Sequence, residues 1–351
     1  MEHSEQNILV VLPKFGDIGG MLQQNSAYCV DILEYDEYSL VKKNLICRAG
    51  YGLVSLLFIF FSSNQSLLKL IGRINFASKK FDRVNEYLAR ELNKRHSIKY
   101  SSILWIKGDG ISDQILNLAQ ELWGVPHILY LYDPLIRYPS ILSKLEKFDY
   151  VYTFDPAESF EYDLHYLPLF KRSTNNITFE KKRKLEFCIA FVGEFSWHRA
   201  VRLCHFGRQL RHDFKFVLVS KWLPNFKFLG IEFRRDRLEP SDVTNIYLRS
   251  SCLLELSNPG QSGKTQRVDD ARTFGIGLVF LETDVLLEHK EPPITSSVGF
   301  IQLLEVEGID LESVKLKVRE DQRSEGYYKG VGVEDFLQTM IEKLPNNRVL
   351  G

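Results

Sequence analysis

An excess of charge of either sign is missing from this chain. Its 45 lysines and arginines are matched by 45 aspartates and glutamates over 351 residues, so no global field draws it to nucleic acid or to an anionic surface, and any anion site has to be local. Cysteine is scarce: Cys29, Cys47, Cys188, Cys204 and Cys252 stand at wide spacings without a CxxC pair. That excludes a disulfide framework, or a zinc site built with the scattered histidines, and leaves reduced thiols used mostly as small core residues. No apolar run approaches the ~20 residues that cross a bilayer. The nearest, LVSLLFIFF at 53–61, is flanked by Arg48 and by Lys69, Arg73, Lys79, Lys80 and Arg83. It reads either as a buried helix beside a basic one or as an apolar face at an anionic membrane interface. The opening residues MEHSEQ are acidic and polar, the reverse of a secretion signal, so the expectation is a cytoplasmic chain.

What is present is enough hydrophobic residue, 44%, to fill two cores of about 150 residues each. Residues 7–12 (NILVVL) form a short apolar run rich in branched side chains, the pattern of a strand buried on both faces, and a glycine-rich turn at 15–20 follows it. Strand, turn, helix recurs at 102–106 (SILWI), with a helix over 112–123, and further strands are predicted at 127–132, 150–154 and 166–169. Residues 171–184 (KRSTNNITFEKKRK) are charged and poorly hydrophobic, a linker by composition. The rhythm then restarts with strands at 187–192, 214–219, 228–233, 252–256 and 277–281, and helices over 239–248 and from the 257–263 loop to 274. A last amphipathic helix spans 334–344. The reading is therefore a first doubly wound α/β domain over 1–170, a linker over 171–184, a second over 185–330, and a C-terminal segment, 331–351, that packs back on the first domain; the resemblance given below implies that the first is the acceptor-binding domain.

Two turns of the second half suit negatively charged oxygen. In NPGQSGKTQR (258–267), the residues Gln261, Ser262, Gly263, Lys264, Thr265 and Arg267 combine close backbone approach, hydroxyls, cations and the free amides of a helix start. The terminal GKT is not a P-loop, because Asn258 stands where the Walker spacing requires glycine. The other turn, 193–199, carries Gly193 and Arg199, whose guanidinium can pair with phosphoryl oxygen, with Trp197 and His198 beside it. A helix cap with solvated cations is the plain reading of either turn; the functional one rests on both lying at one carboxyl edge of one sheet.

The first half supplies Gly19 and Gly20 after the first strand, Lys107, and Asp133 and Arg137 in YDPLIRYP. A carboxylate just past a buried strand can take a proton from an acceptor hydroxyl, which makes Asp133 and Asp17 the base candidates. Asp133–Pro134 and Asp155–Pro156 are equally ordinary turn starters. His127 begins a strand and belongs to the opposite edge.

Five stretches in order, LYLYDPLIRYP (129–139), FDYVYTFDPAES (148–159), YLPLF (166–170), FVGEFSWHR (191–199) and LELSNPGQSGKTQRVDDA (254–271), resemble bacterial GT-B glycosyltransferases of lipopolysaccharide and capsule assembly, in particular those with CgeB-like C-terminal regions. The resemblance covers residues 100–285. It implies an α/β, GT-B-type fold of two facing Rossmann-like domains with a central cleft. It also implies a nucleotide-diphosphate sugar as donor and an oligosaccharide or lipid-linked acceptor. It further implies that no metal or other cofactor is required; the expectation is that no nucleic acid is bound and that the protein works in the cytoplasm, in peripheral contact with the inner face of the membrane or with an assembly complex. Carried over, Arg199 contacts the diphosphate while Gln261, Ser262, Gly263, Thr265 and Arg267 surround the phosphates and proximal sugar. Related sequences often carry a glutamate where Asp270 stands, one methylene longer. Two rivals follow: a sugar- or nucleotide-binding subunit without catalysis, and a sugar-nucleotide epimerase, against which the absence of GxxGxxG after the first strand speaks.

Overall fold

The structure is a computed structural model, which describes residues 7–14, 18–24, 28–37, 42–43, 79–137, 139–169, 185–209, 214–220, 223–256, 261, 265–281, 300–303 and 333–341. The basic-flanked run at 53–61, the linker at 171–184, and the site candidates Asp17, Ser262, Gly263 and Lys264 lie outside them, as does the side chain of Arg137.

The first sheet contains β1 (Asn7–Pro13), β2 (Cys29–Tyr35), β5 (Ser102–Ile106), β6 (His127–Leu131), β7 (Tyr150–Thr153) and β8 (His165–Tyr166), in the order β2-β1-β5-β6-β7-β8. All its pairings are parallel. A separate antiparallel pair, β3 (Lys42–Lys43) with β4 (Lys79–Lys80), stands apart from it. Parallel strands are covered on both faces, which is why β1, β5 and β6 are nearly continuous apolar runs. One face packs against α2 (Asp82–Lys94) and α3 (Asp113–Trp123) through Leu88, Leu92, Ile115 and Ala119. The other is covered by α1 (Ile18–Gln24) and by α8 (Val333–Ile341), whose Phe336, Leu337, Met340 and Ile341 join Val10, Ile106 and Tyr130 in one buried cluster.

The second sheet runs β11-β12-β10-β9-β13-β14-β15. Its members are β9 (Phe187–Glu194), β10 (Phe214–Val219), β11 (Phe226–Phe228), β12 (Ile231–Arg234), β13 (Ser250–Glu255), β14 (Gly277–Leu281) and β15 (Phe300–Leu303). Only β11 is antiparallel to its neighbour. Helix α5 (Trp197–Gln209) sits over a phenylalanine-rich cluster on one face, while α6 (Pro240–Leu248) and α7 (Gln266–Phe274) cover the other. Helix α4 (Pro156–Glu161) follows β7 in the first sheet. Two doubly wound sheets in series are thus present, as expected.

Three expectations change. The strand expected at 228–233 is a hairpin: Leu229 and Gly230 take φ of 49° and 82°, so the chain reverses in two residues, and a Cβ on Gly230 would meet Phe214 at 2.6 Å. The strand expected at 166–169 ends at Tyr166, since Pro168 has no N–H for a ladder. Strand β2 fills a stretch from which no strand was expected.

Strand order locates the ligand edge. In the first sheet the chain steps outward from β1 to β2 and then crosses to β5; in the second it steps from β9 through β10 to β12 and crosses to β13. The crevices outside the carboxyl ends of β1/β5 and β9/β13 are therefore the switch points at which open α/β sheets hold ligands. The two carboxyl edges touch. Arg237, past the end of β12, donates through Nη1 to the carbonyl of Lys14, past the end of β1.

Candidate functional site

At the second switch point the turn after β9 and the turn after β13 meet over one ring. Arg199 is in the first turn of α5, its N–H held by the Ser196 hydroxyl at 3.2 Å, and its Nη1 donates back to the Glu194 carbonyl at 3.1 Å. Its Cζ lies 5.8 Å from the centroid of Phe191. Arg267, from α7, reaches the same ring at 4.4 Å and donates through Nη1 to the Val192 carbonyl at 3.1 Å. Gly193 makes this possible, because a Cβ there would come within 3.0 Å of the Phe191 ring and 3.4 Å of Arg267 Nη1.

Arg267 is already partnered: its Nε donates to Glu255 Oε2 at 3.2 Å, and the two side chains are 9% and 1% exposed. Thr265 Oγ1 donates to the same carboxylate oxygen at 2.6 Å and accepts from the Arg267 N–H at 3.3 Å. Glu255 thereby fastens the start of α7 to the end of β13, and Nη2 of Arg267 remains buried without a hydrogen-bond partner among the described residues. Gln261 is buried in the same loop, and Asp270, one turn along α7 from Arg267, is buried at 2% exposure. Trp197 is a core residue, packed edge-on against Phe195 at 4.8 Å. His198 Nε2 is buried.

The first switch point is organised around one ammonium. Lys107 Nζ lies 2.6 Å from Glu37 Oε2, 3.7 Å from Asp133 Oδ2 and 3.9 Å from Asp109 Oδ1. The backbone that aims it is strained: Lys107 adopts φ 79°, a left-handed conformation costly to a side chain with a Cβ, and Gly108 follows at 70°. Neighbours hold the turn in place. Asn85 donates to the Gly110 carbonyl at 3.1 Å and accepts from Ser112 N–H at 2.8 Å, and Lys144 donates to the Ile111 carbonyl at 2.6 Å. A Cβ on Gly110 would strike the Phe81 ring at 2.4 Å. Burial, and then Asp109 and Glu37, push the nearby Tyr35 phenol well above its ordinary range.

The loop bearing Asp133 has its own fastening. The N–H of Leu135 donates to Glu158 Oε1, and the Thr153 hydroxyl donates to Glu158 Oε2 at 3.1 Å. Burial outweighs these bonds and raises the Glu158 carboxyl to about 7. Asp155 is the N-cap of α4, accepting from Ala157 N–H at 3.0 Å and Glu158 N–H at 3.4 Å, which gives the second Asp-Pro pair a structural role. Gly19 and Gly20 fall within α1 rather than in an open loop, and a Cβ on Gly19 would meet Glu34 Oε1 at 2.5 Å. His127 stands at the amino end of β6, away from both crevices.

Sequence reasoning did not single out Glu255, Glu37 or Phe191. A charge inside CLLEL was the available signal for Glu255, since a carboxylate in a run otherwise buried on both faces needs a partner. Among the described residues no His, Cys, Asp or Glu group has the arrangement to hold a metal ion, and no helix is long and apolar enough to cross a membrane.

No family model matches the chain, and no curated protein matches it. Among solved structures it is similar to the apo form of the lipopolysaccharide outer core galactosyltransferase WaaB. The TM-score is 0.40 at 10% sequence identity, over 91% of this chain and 92% of that one.

Proposed function

We propose that the protein transfers a sugar from a nucleotide-diphosphate donor to a glycan or lipid-linked glycan acceptor in the assembly of a surface polysaccharide, at the cytoplasmic face of the membrane. The observation that carries this reading is the meeting of Arg199 and Arg267, from two separate turns, over Phe191 at the switch point of the second sheet. Guanidinium donors, the hydroxyl of Thr265 and the first amides of α7 can together receive pyrophosphate oxygens. In this reading the loop residues Gln261, Ser262, Gly263 and Lys264 complete the cradle, and Asp270 faces the donor sugar or ribose.

The contact of Arg237 with Lys14 supports a crevice between the carboxyl edges. On its other wall, with Gly19, Gly20 and Arg137, this reading puts Lys107 and Asp133. The bond between the anomeric carbon and the diphosphate oxygen breaks, the acceptor oxygen bonds to that carbon, and its proton passes to a carboxylate. Asp133, held near the Lys107 ammonium, is the base assigned here, with Asp17 as the other candidate. Arg199, Arg267 and the helix amides stabilise the charge left on the diphosphate, so this proposal needs no metal.

One observation favours a second reading, a sugar- or nucleotide-binding subunit without turnover: the Arg267 charge is already compensated by Glu255. The test is calorimetric titration with a panel of nucleoside diphosphates and nucleotide sugars, followed by nucleotide release with and without glycan acceptors. Transfer establishes the enzyme, whereas tight binding without transfer to any acceptor establishes the subunit. Arg199→Ala is expected to weaken donor binding at least tenfold, about 1.4 kcal/mol. Unchanged affinity removes the diphosphate assignment.

A further inference from the structure

Glu158 is a buried carboxyl that the transfer reaction above leaves unused, and it grips the turn next to Asp133. Past β6 the chain runs through Asp133 and Pro134 into a single 3-10 turn, Leu135–Arg137. Pro134 has no N–H, so Leu135 supplies the first peptide donor after Asp133. A donor at the start of such a turn has no partner within it, and Leu135 is only 2% exposed. Its N–H is satisfied from another element, by donating to Oε1 of Glu158 on α4. Strand β7 holds Glu158 in turn: the Thr153 hydroxyl donates to Oε2 at 3.1 Å and accepts the Asp155 N–H at 3.1 Å. One carboxyl group thus ties β7 and α4 to the turn behind Asp133. Asp133 Oδ2 itself lies 3.7 Å from Lys107 Nζ. That is just beyond hydrogen-bonding range, so a backbone movement of about 1 Å closes the pair or opens it.

We infer that Glu158 is a positioning residue of the first crevice: as a carboxylate it pins the 135–137 turn and so sets Asp133 against the Lys107 ammonium, and as a neutral acid it lets that placement slacken. Its role in catalysis rests on the transfer reading above, in which Asp133 is the base; the coupling between the two carboxyls does not.

A charged acceptor holds an N–H about twice as strongly as a neutral one. The surroundings of Glu158 decide where the change falls. Burial is the largest influence and raises its carboxyl, Asp155 and Glu161 add to the rise, and the Leu135 N–H and the Thr153 hydroxyl oppose it. The outcome is a value of about 7, so the group changes charge near neutral pH, above the ordinary carboxylate range. The charge costs the fold stability through burial while it tightens the local bond to Leu135. When that bond slackens, Glu37, already 2.6 Å from Lys107 Nζ, retains the ammonium.

The test is NMR of the full chain labelled with 13C-aspartate and 15N-leucine, titrated from pH 5 to 9. The Asp133 carboxyl carbon and the Leu135 amide are identified by their loss in Asp133→Asn and Leu135→Met. Both signals are expected to move together, with a shared midpoint near 7. Glu158→Gln keeps the shape of the side chain without the charge; it is expected to abolish both steps and to leave each signal at its wild-type acid-side position. Glu161 is exposed, so Glu161→Gln removes a repelling charge without disturbing the core, and it is expected to lower the two midpoints together. The coupling is overturned if Asp133 shows no step, or if its step survives in Glu158→Gln. It is also overturned if Asp133 moves while Leu135 stays, which is a charge felt through space and not a change of placement, or if the two midpoints separate in Glu161→Gln. Where transfer is observed, Glu158→Gln is expected to lower kcat about tenfold above pH 7 with the donor KM unchanged; an unchanged kcat removes the role in catalysis. Absence of any transfer overturns the assignment of Asp133 as base and leaves the shared titration standing, so the two readings fail separately.

Discussion

Each sheet fastens a loop at its carboxyl edge with a buried glutamate, and the two glutamates are served differently. Glu255 of the second sheet meets a guanidinium and a hydroxyl, from Arg267 and Thr265. Glu158, on α4 beside the first sheet, meets a peptide N–H and a hydroxyl, from Leu135 and Thr153, and no cation is bonded to it among the described residues. A glutamate at the end of a strand and one in a helix thus do the same fastening in two electrical forms. In one the carboxylate is neutralised by a partner, and breaking the pair strands a charge; in the other burial itself is relieved by a proton, and the clamp becomes sensitive to pH.

The sharpest way to break this comparison is Arg267→Ala. With Glu255 1% exposed and deprived of the Arg267 guanidinium, unfolding by urea is expected to show a loss of about 3–5 kcal/mol. The double variant Arg267→Met/Glu255→Gln is expected to recover most of it. A loss below about 1 kcal/mol in the single variant shows that the pair is not the constraint described.

Glu158 is next in size. Its folded value of about 7 lies above the ordinary 4.5, so the native state binds the proton more tightly. The resulting stability is full below pH 4.5 and is lost as pH rises through 7. The loss is expected to approach roughly 3 kcal/mol at most, at about 1.4 kcal/mol per pKa unit. Glu158→Gln is expected to abolish that slope in urea midpoints measured from pH 5 to 8. A slope that persists in the variant belongs to another group.

The smallest effect concerns Lys107, where backbone and charge pull apart. At φ 79° glycine is preferred to alanine by about 1 kcal/mol. Lys107→Gly is therefore expected to be more stable than Lys107→Ala, the reverse of the usual order, while both lose the ammonium shared by Glu37, Asp109 and Asp133. Equal stability of the two variants removes the strain argument.

Much of the scaffold could be read from residue patterns, for reasons that also explain the gaps. Strands β5, β10 and β14 are bounded as expected because each is a branched or aromatic run closed by polar or glycine-containing turns. Strand β2 escaped because CVDILEY places charges among its apolar residues; Asp31 is tied to Arg95 and Tyr100 and so can stand in a sheet. The hairpin at 226–234 escaped because Leu229, a residue poorly suited to positive φ, occupies its turn. At the second site Arg199 and Arg267 were legible as cations next to glycine. Their partners Phe191 and Glu255 were not, since an aromatic ring and a carboxylate inside buried strands acquire meaning only when another segment arrives over them.

Helix α8 has a consequence for how the molecule is made. Phe336 packs edge-on against Tyr130 at 4.7 Å, and Tyr152 donates to the Thr339 carbonyl at 3.4 Å. One side of the first sheet is therefore finished by residues that leave the ribosome some two hundred positions later. Until they emerge, α1 alone among the described helices covers that side, and the part of the apolar cluster that Phe336, Leu337, Met340 and Ile341 complete is left open to water.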